Sequence, residues 1–116
     1  MATSTLPLNK FRLIAKKLNS GDNTIYQEDL EVASIVLSCQ ITNMTGTTQV
    51  VSVLIEKNDD IGNLVTLLKN ASIPPNESLN PFGGKIVLER NDKLIFNTNN
   101  TGTLETVLSI LENAIN

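Results

Sequence analysis

Apolar and polar positions alternate along this chain in short runs, and turn-forming residues separate the runs. The clearest run is Val32–Asn43, where Ile35, Leu37, Cys39 and Ile41 fall on one face and Val36, Ser38, Gln40 and Thr42 on the other. That period of two is the signature of a strand. Gln49–Lys57 repeats it, with Val51, Val53 and Ile55 opposed to Val50, Ser52, Leu54 and Glu56. The intervening Asn43-Met44-Thr45-Gly46-Thr47-Thr48 reads as a turn, so the two runs are expected to form an antiparallel hairpin. A second hairpin is expected where Ile86–Glu89 and Leu94–Thr98 flank Arg90-Asn91-Asp92-Lys93, because Asn and Asp tolerate positive φ and bond their own backbone.

The remaining segments keep this rhythm. In Lys10–Leu18, Phe11, Leu13 and Ala15 alternate with Arg12, Ile14 and Lys16, which favours a strand, although Phe11, Ile14, Ala15 and Leu18 could also share a helix face. Asn19-Ser20-Gly21-Asp22-Asn23 is a turn, Thr24-Ile25-Tyr26 a short extended piece, and Glu28, Asp29 and Glu31 mark an acidic loop. Leu64–Lys69 reads as another strand, closed by the Pro74-Pro75 turn, and Ser78-Leu79-Asn80 as a brief extension. Leu104–Glu112 is two-sided: Leu104, Val107, Leu108, Leu111 and Ile115 make a helical stripe that Thr103 could cap, while Leu104, Thr106, Leu108 and Ile110 alternate as in a strand. The neighbouring strands favour the strand. The expectation is an all-β, single-domain antiparallel β-sandwich, jelly-roll-like, with an extended N-terminal arm. Residues 1–22 form the arm or an added edge segment, and residues 23–116 the sandwich domain.

Composition narrows the function classes. At 116 residues with 41% hydrophobic and 18% charged positions, the chain can bury a two-layer core. It has one Tyr, three Phe and no Trp, so the core must be aliphatic and stacking on bases or sugars has little to use. A net charge of −3 argues against a phosphate-binding surface, and Lys10, Arg12, Lys16 and Lys17 read as a solvated strand face. The N-terminus lacks the pattern of a signal peptide, and no apolar run is long enough to span a bilayer, so synthesis in the cytoplasm is expected. The sequons at Asn43, Asn70, Asn76 and Asn99 then read as chance products of an Asn- and Thr-rich sequence.

Candidate chemistry is sparse. The chain has no histidine, which removes the commonest general base and metal ligand. Cys39 is the one cysteine, placed in an apolar run as a small hydrophobe would be. Asn58-Asp59-Asp60-Ile61-Gly62-Asn63 has some oxygen ligands of a calcium loop but no Glu at its far end, and reads as a polar turn. Gly83-Gly84 is followed by neither Lys-Ser/Thr nor a helix, so it is no phosphate loop. Glu89 and Arg90 read as solvent-facing. No catalytic, cofactor-binding or metal residue is assigned, and no enzyme is expected. A sugar-binding module would have to use Tyr26, Phe11, Phe82 and Phe96, the chain's four aromatic residues.

The order of these elements resembles a known class. Ile35-Val36-Leu37-Ser38-Cys39-Gln40-Ile41-Thr42-Asn43, a Thr-rich turn, a Val-Ser-Val strand, Ile73-Pro74-Pro75, Gly83-Gly84-Lys85-Ile86-Val87-Leu88-Glu89 and Val107-Leu108-Ser109-Ile110-Leu111-Glu112 follow one another over residues 24–112. That series is similar to small virion structural proteins of tailed bacteriophages of the marine and cyanobacterial type, with Asn91-Asp92 where those proteins carry Gly-Asp. The resemblance implies a non-enzymatic capsid decoration or cement protein located in the virion. It would contact the major capsid protein or neck and tail proteins, form a homo-oligomer, and engage neither nucleic acid nor membrane. The alternatives are a neck or tail accessory protein and a host-surface carbohydrate-binding module.

Overall fold

The computed structural model describes residues 8–28 and 32–114. Among them are nine strands: β1 Leu8–Lys17, β2 Gly21–Tyr26, β3 Val32–Asn43, β4 Gln49–Glu56, β5 Leu64–Ile73, β6 Ser78–Leu79, β7 Ile86–Leu88, β8 Lys93–Thr98 and β9 Leu104–Ala114. No helix is long and apolar enough to cross a membrane. The all-β expectation holds, and both segments that could have been helices, Lys10–Leu18 and Leu104–Glu112, are strands. For residues 1–7 the expected arm lies outside the described residues, as do Asp29 and Glu31 of the acidic loop.

Two antiparallel sheets face each other. Sheet A runs β1-β9-β3-β6, with β7 also on β3; sheet B runs β2-β8-β4-β5. Apart from β4–β5 and β6–β7, every connection carries the chain from one sheet to the other. This is a jelly-roll path, in which strands distant in sequence become neighbours.

Both expected hairpins are corrected by this path. β3 pairs with β9, β6 and β7, while β4 pairs with β5 and β8, so the Thr-rich turn is a corner between sheets. β7 pairs with β3 and β8 with β2 and β4, so Arg90–Lys93 is a second corner. The local turn chemistry is as expected, for Asn91 takes a positive φ of 61°. At this corner Asp92 bonds across the turn to another part of the chain. Its buried carboxylate accepts hydrogen bonds from the Glu89 and Asn58 backbone N–H groups, each at 2.9 Å, and from Lys57 Nζ at 2.6 Å. The corner is thereby closed on Glu89, just past β7, and tied to the end of β4 through Lys57 and Asn58. The hairpin that does form is β4–β5, across the Asp59-Asp60 turn, where Gly62 at φ 92° closes the bend.

Alternation sets the core. Ile14, Val36, Cys39, Ile41, Leu88, Leu104, Leu108 and Ile110 point inward from sheet A, and Ile25, Val51, Val53, Ile73, Leu94 and Phe96 from sheet B. β3 changes phase midway. A bulge between Val36 and Ser38 takes up Leu37, so Val36 and then Cys39 and Ile41 face inward, whereas an unbroken alternation would have put Ile35 there. A second bulge at Ile25 lets both Ile25 and Tyr26 turn into the core.

Phe96 is the largest fully buried side chain, and its removal leaves a cavity that the close-packed aliphatic core around it fills only in part. Phe96→Ala should destabilise the fold by about 3–5 kcal/mol in urea unfolding, whereas Phe11→Ala, at a site 74% exposed, should change stability by under about 0.5 kcal/mol. Equal losses at the two positions would contradict this packing.

Candidate assembly surface

Strand β1 carries Phe11, Leu13 and Ala15 outward. Its ten residues pair with β9 in unbroken register, and Ile14 faces the core, so Phe11, Leu13 and Ala15 point away from it. Phe11 is 74% and Leu13 69% exposed. A sandwich strand with one wet face normally shows the opposite polarity.

The register is held by a buried polar cluster at the rim of the sandwich. Arg12 donates to Glu112 of β9 at 3.0 Å and lies 3.5 Å from Glu28. The Tyr26 hydroxyl, from sheet B, donates to the same Glu112 oxygen and so accepts from Ser34 of β3, 2.7 Å away. The Arg12 guanidinium also sits 5.9 Å from the centre of the Tyr26 ring. One carboxylate therefore ties β1, β3 and β9 to the facing sheet. Burial and then the Glu112 hydrogen bond push the Tyr26 hydroxyl well above its ordinary pKa of 10.0.

On the outer face of sheet A the register builds a band. Phe11 lies opposite Leu111, Leu111 opposite Ile35, and Ile35 opposite Val87, one row across four strands. Val87 is 62% exposed, and Leu111 and Ile35 are half-buried. Two further rows extend the patch, Leu13 with Ser109 and Ser38, and Ala15 with Val107 and Gln40. At one end lie Asn9, Asn113 and Ala33, and at the other Lys17, Glu105 and Thr42, with Lys17 Nζ 3.8 Å from Glu105. An apolar row continued by Leu13, Ala15 and Val107 among uncharged polar residues, with charges kept to the margin, has the anatomy of a protein–protein contact surface.

Residues considered for chemistry are spread apart and tied up structurally. Tyr26 and Phe96 are buried and Phe82 packs on the core, so of the four aromatic residues Phe11 alone presents an open ring. The Cys39 thiol is buried beside Thr106, and desolvation pushes it up to about 11, far from a reactive thiolate. Asp60 accepts from Asn63 at 2.8 Å within its turn, and Glu56 accepts from the Gly62 N–H at 3.0 Å. Among the described residues no three His, Cys, Asp or Glu side chains gather as a metal site would require. Glu89 is exposed and bonds Lys57 at 2.6 Å, and Gly83-Gly84 lies in the exposed loop before β7. Of the basic cluster Lys10, Arg12, Lys16 and Lys17, Arg12 is the one drawn into the rim. Sequence reasoning missed Glu112 and Ser34, whose partners lie 86 and 8 residues from them at Tyr26. It also missed the apolar band, whose alternation was visible although the direction it faces was not.

Comparison with known proteins adds fold and little else. No protein-family model matches the chain, and no curated protein matches it in sequence. Among solved structures it is similar to a chain of Bacillus endospore appendages, described as disulfide-linked pili, with 11% identity and a TM-score of 0.58 over 100% of this chain and 97% of that one. It is also similar to a chain of the T13 IBDV viral particle, with 10% identity and a TM-score of 0.54 over 92% of this chain; it spans 31% of that chain's length. A pentameric capsid protein from metagenomic phage sequences aligns more loosely, with 13% identity, a TM-score of 0.44 and coverage of 87% and 61%.

Two measurements check the polar anchors. A group whose folded pKa is raised contributes stability below its unfolded value and loses that contribution as pH rises through the folded one. The chain's one tyrosine should therefore stay un-ionised in the folded protein well past pH 10.0, and titrate near that value once unfolded in urea. Ultraviolet absorbance reads this without interference from Trp, and a folded-state titration near 10.0 would contradict the burial of Tyr26. Asp92 has the opposite sign. Burial alone would raise it, but Lys57 and the two backbone N–H donors outweigh burial and hold it below 3.8. Its contribution is full above that pH and fades as pH falls through the folded value. Asp92→Asn should cost about 1–3 kcal/mol at neutral pH and flatten the loss of stability in acid. Urea unfolding at several pH values measures both effects.

Proposed function

We propose that this chain is a non-enzymatic structural subunit that joins a larger protein assembly by surface packing. The observation that carries this reading is the outward polarity of β1 with the apolar band beside it, a surface costly to leave in water. Two further points support it. The buried carboxylates Glu112 and Asp92 are both committed to holding strands and corners together, and the thiol is shielded. The proteins with similar folds include a pilus subunit and a virus-particle chain.

The finer reading is a virion protein that decorates or cements the head, with a neck or tail location as its variant. A second reading, a subunit of a fibrous appendage, is favoured by one observation: the match to the appendage chain covers nearly the whole of both chains. That protein is described as disulfide-linked, but the one cysteine here is buried, so association in this chain would be non-covalent. Carbohydrate binding is the weaker reading, since the aromatic surface it needs is largely inside the fold.

Copy number distinguishes these readings. Quantitative mass spectrometry of purified virions is expected to find the chain in amounts near those of the major shell protein. A handful of copies per particle would move it to a neck or tail. Absence from virions, with recovery from sheared surface appendages, would overturn the virion reading in favour of the fibre.

A further inference from the structure

We propose that the outer face of sheet A packs against the same face of a second copy of this chain, forming a two-fold pair; this rests on the assembly reading above and names its contact. Charge agrees with that occupant. Within its strands the face carries one cation and one anion, Lys17 and Glu105, already beside each other at its margin, and exposed Lys85 flanks it just before β7. The centre of the face is uncharged, so a second copy meets it without like charges there. An acidic or basic partner would find no counter-charge there, and a nucleic acid no row of cations.

Size agrees. Three long strands, β1, β9 and β3, with the short β6 and β7 beside β3, about 4.8 Å apart and rising ~3.4 Å per residue, give a face of roughly 600 Å². Two such faces cover about 1,200 Å² in total, above the roughly 1,000 Å² that a specific interface needs. Shape agrees as well. A two-fold axis lying in the face and parallel to the strands sets Phe11 of one copy over Val87 of the other, and Leu111 over Ile35. The bulky end of the band then meets the small end, as aligned face-to-face sheets require.

The free edges offer less. β5 has two bulges and a left-handed Asn70, whose N–H is taken by Ser52 Oγ at 2.9 Å. β2 has a bulge, and β6 and β7 are two and three residues long. Such features discourage strand addition.

Sedimentation velocity of the full chain over a range of concentrations tests the pairing. The wild type should form a dimer that dissociates on dilution. The double variant Phe11→Ser, Leu13→Ser should raise the dissociation constant about tenfold or more, and Val87→Lys, at the other end of the band, should do the same. Ile61→Ser, equally exposed on the β4–β5 turn, should leave it unchanged. Circular dichroism confirms that each variant is folded. A wild type monomeric at every concentration, or a dimer indifferent to both face variants, would overturn the inference. A chain abundant in particles yet monomeric in solution would overturn this pairing alone and leave the assembly reading standing.

Discussion

The alignment of β1 against β9 decides what this protein shows to its surroundings. Moving a strand by one residue exchanges its two faces, so a slip here would turn Phe11 and Leu13 into the sandwich and put Arg12 outside. Apolar transfer alone favours the slipped arrangement, since each of those side chains would gain roughly 1.5–3 kcal/mol on full burial. The observed register holds because Arg12 reaches the Glu112 carboxylate, which also accepts from Tyr26. Slipping β1 would leave Glu112 buried without its cation, at about 3–5 kcal/mol, and would also turn the buried Ile14 out to water, so the two losses together outweigh the transfer gain of Phe11 and Leu13. The outward apolar band is thus the consequence of an inward ion pair.

The same cluster joins parts of the chain that have no local reason to meet. Arg12 and Glu112 are 100 residues apart, and Tyr26 and Glu112 are 86 apart. In a jelly roll the first and last long strands lie side by side in one sheet while the second lies in the other, so this corner is where the path closes on itself. Asp92 plays the matching part at the β7–β8 corner, binding the end of β4. Two carboxylates, each surrounded by donors, hold the crossings that short-range turn chemistry leaves undirected.

This explains what could be read from residues and what could not. Strands were legible because a period of two is a local property, seen in Gln49–Glu56 and even in the two-sided Leu104–Ala114. Pairing was not, because Asn91-Asp92 and Thr45–Thr48 carry the same turn chemistry whether the strands fold back or cross to the other sheet. Faces were half legible. In β3 the alternation was plain, yet the bulge at Leu37 reversed its phase, and a bulge of ordinary residues leaves no mark in sequence. In β1 the alternation of Phe11, Leu13 and Ala15 with Arg12, Ile14 and Lys16 was equally plain. Only the remote Glu112, by pairing with Arg12, determines that the Arg12 and Ile14 side of the strand faces the sandwich.

A sandwich has two ways to join neighbours, through unpaired edges or through an uncovered face, and their demands oppose each other. An edge joins by backbone hydrogen bonds and accepts almost any extended partner, so it gives little discrimination. A face joins by side-chain fit and discriminates by shape and charge. Here β5 and β2 carry bulges, and β6 and β7 divide their edge into short pieces, while the long, regular β1 has Lys10, Arg12 and Lys16 along it. Like charges along an unpaired edge oppose its addition to an identical strand. The outer face of sheet A is treated in the reverse way, with charge removed to the margin and Phe11, Leu13, Val87 and Val107 left in contact with water. One strand serves both ends: the basic side chains that guard the β1 edge are the alternate positions of the apolar side chains that build the face, and the Arg12–Glu112 pair fixes which set goes where.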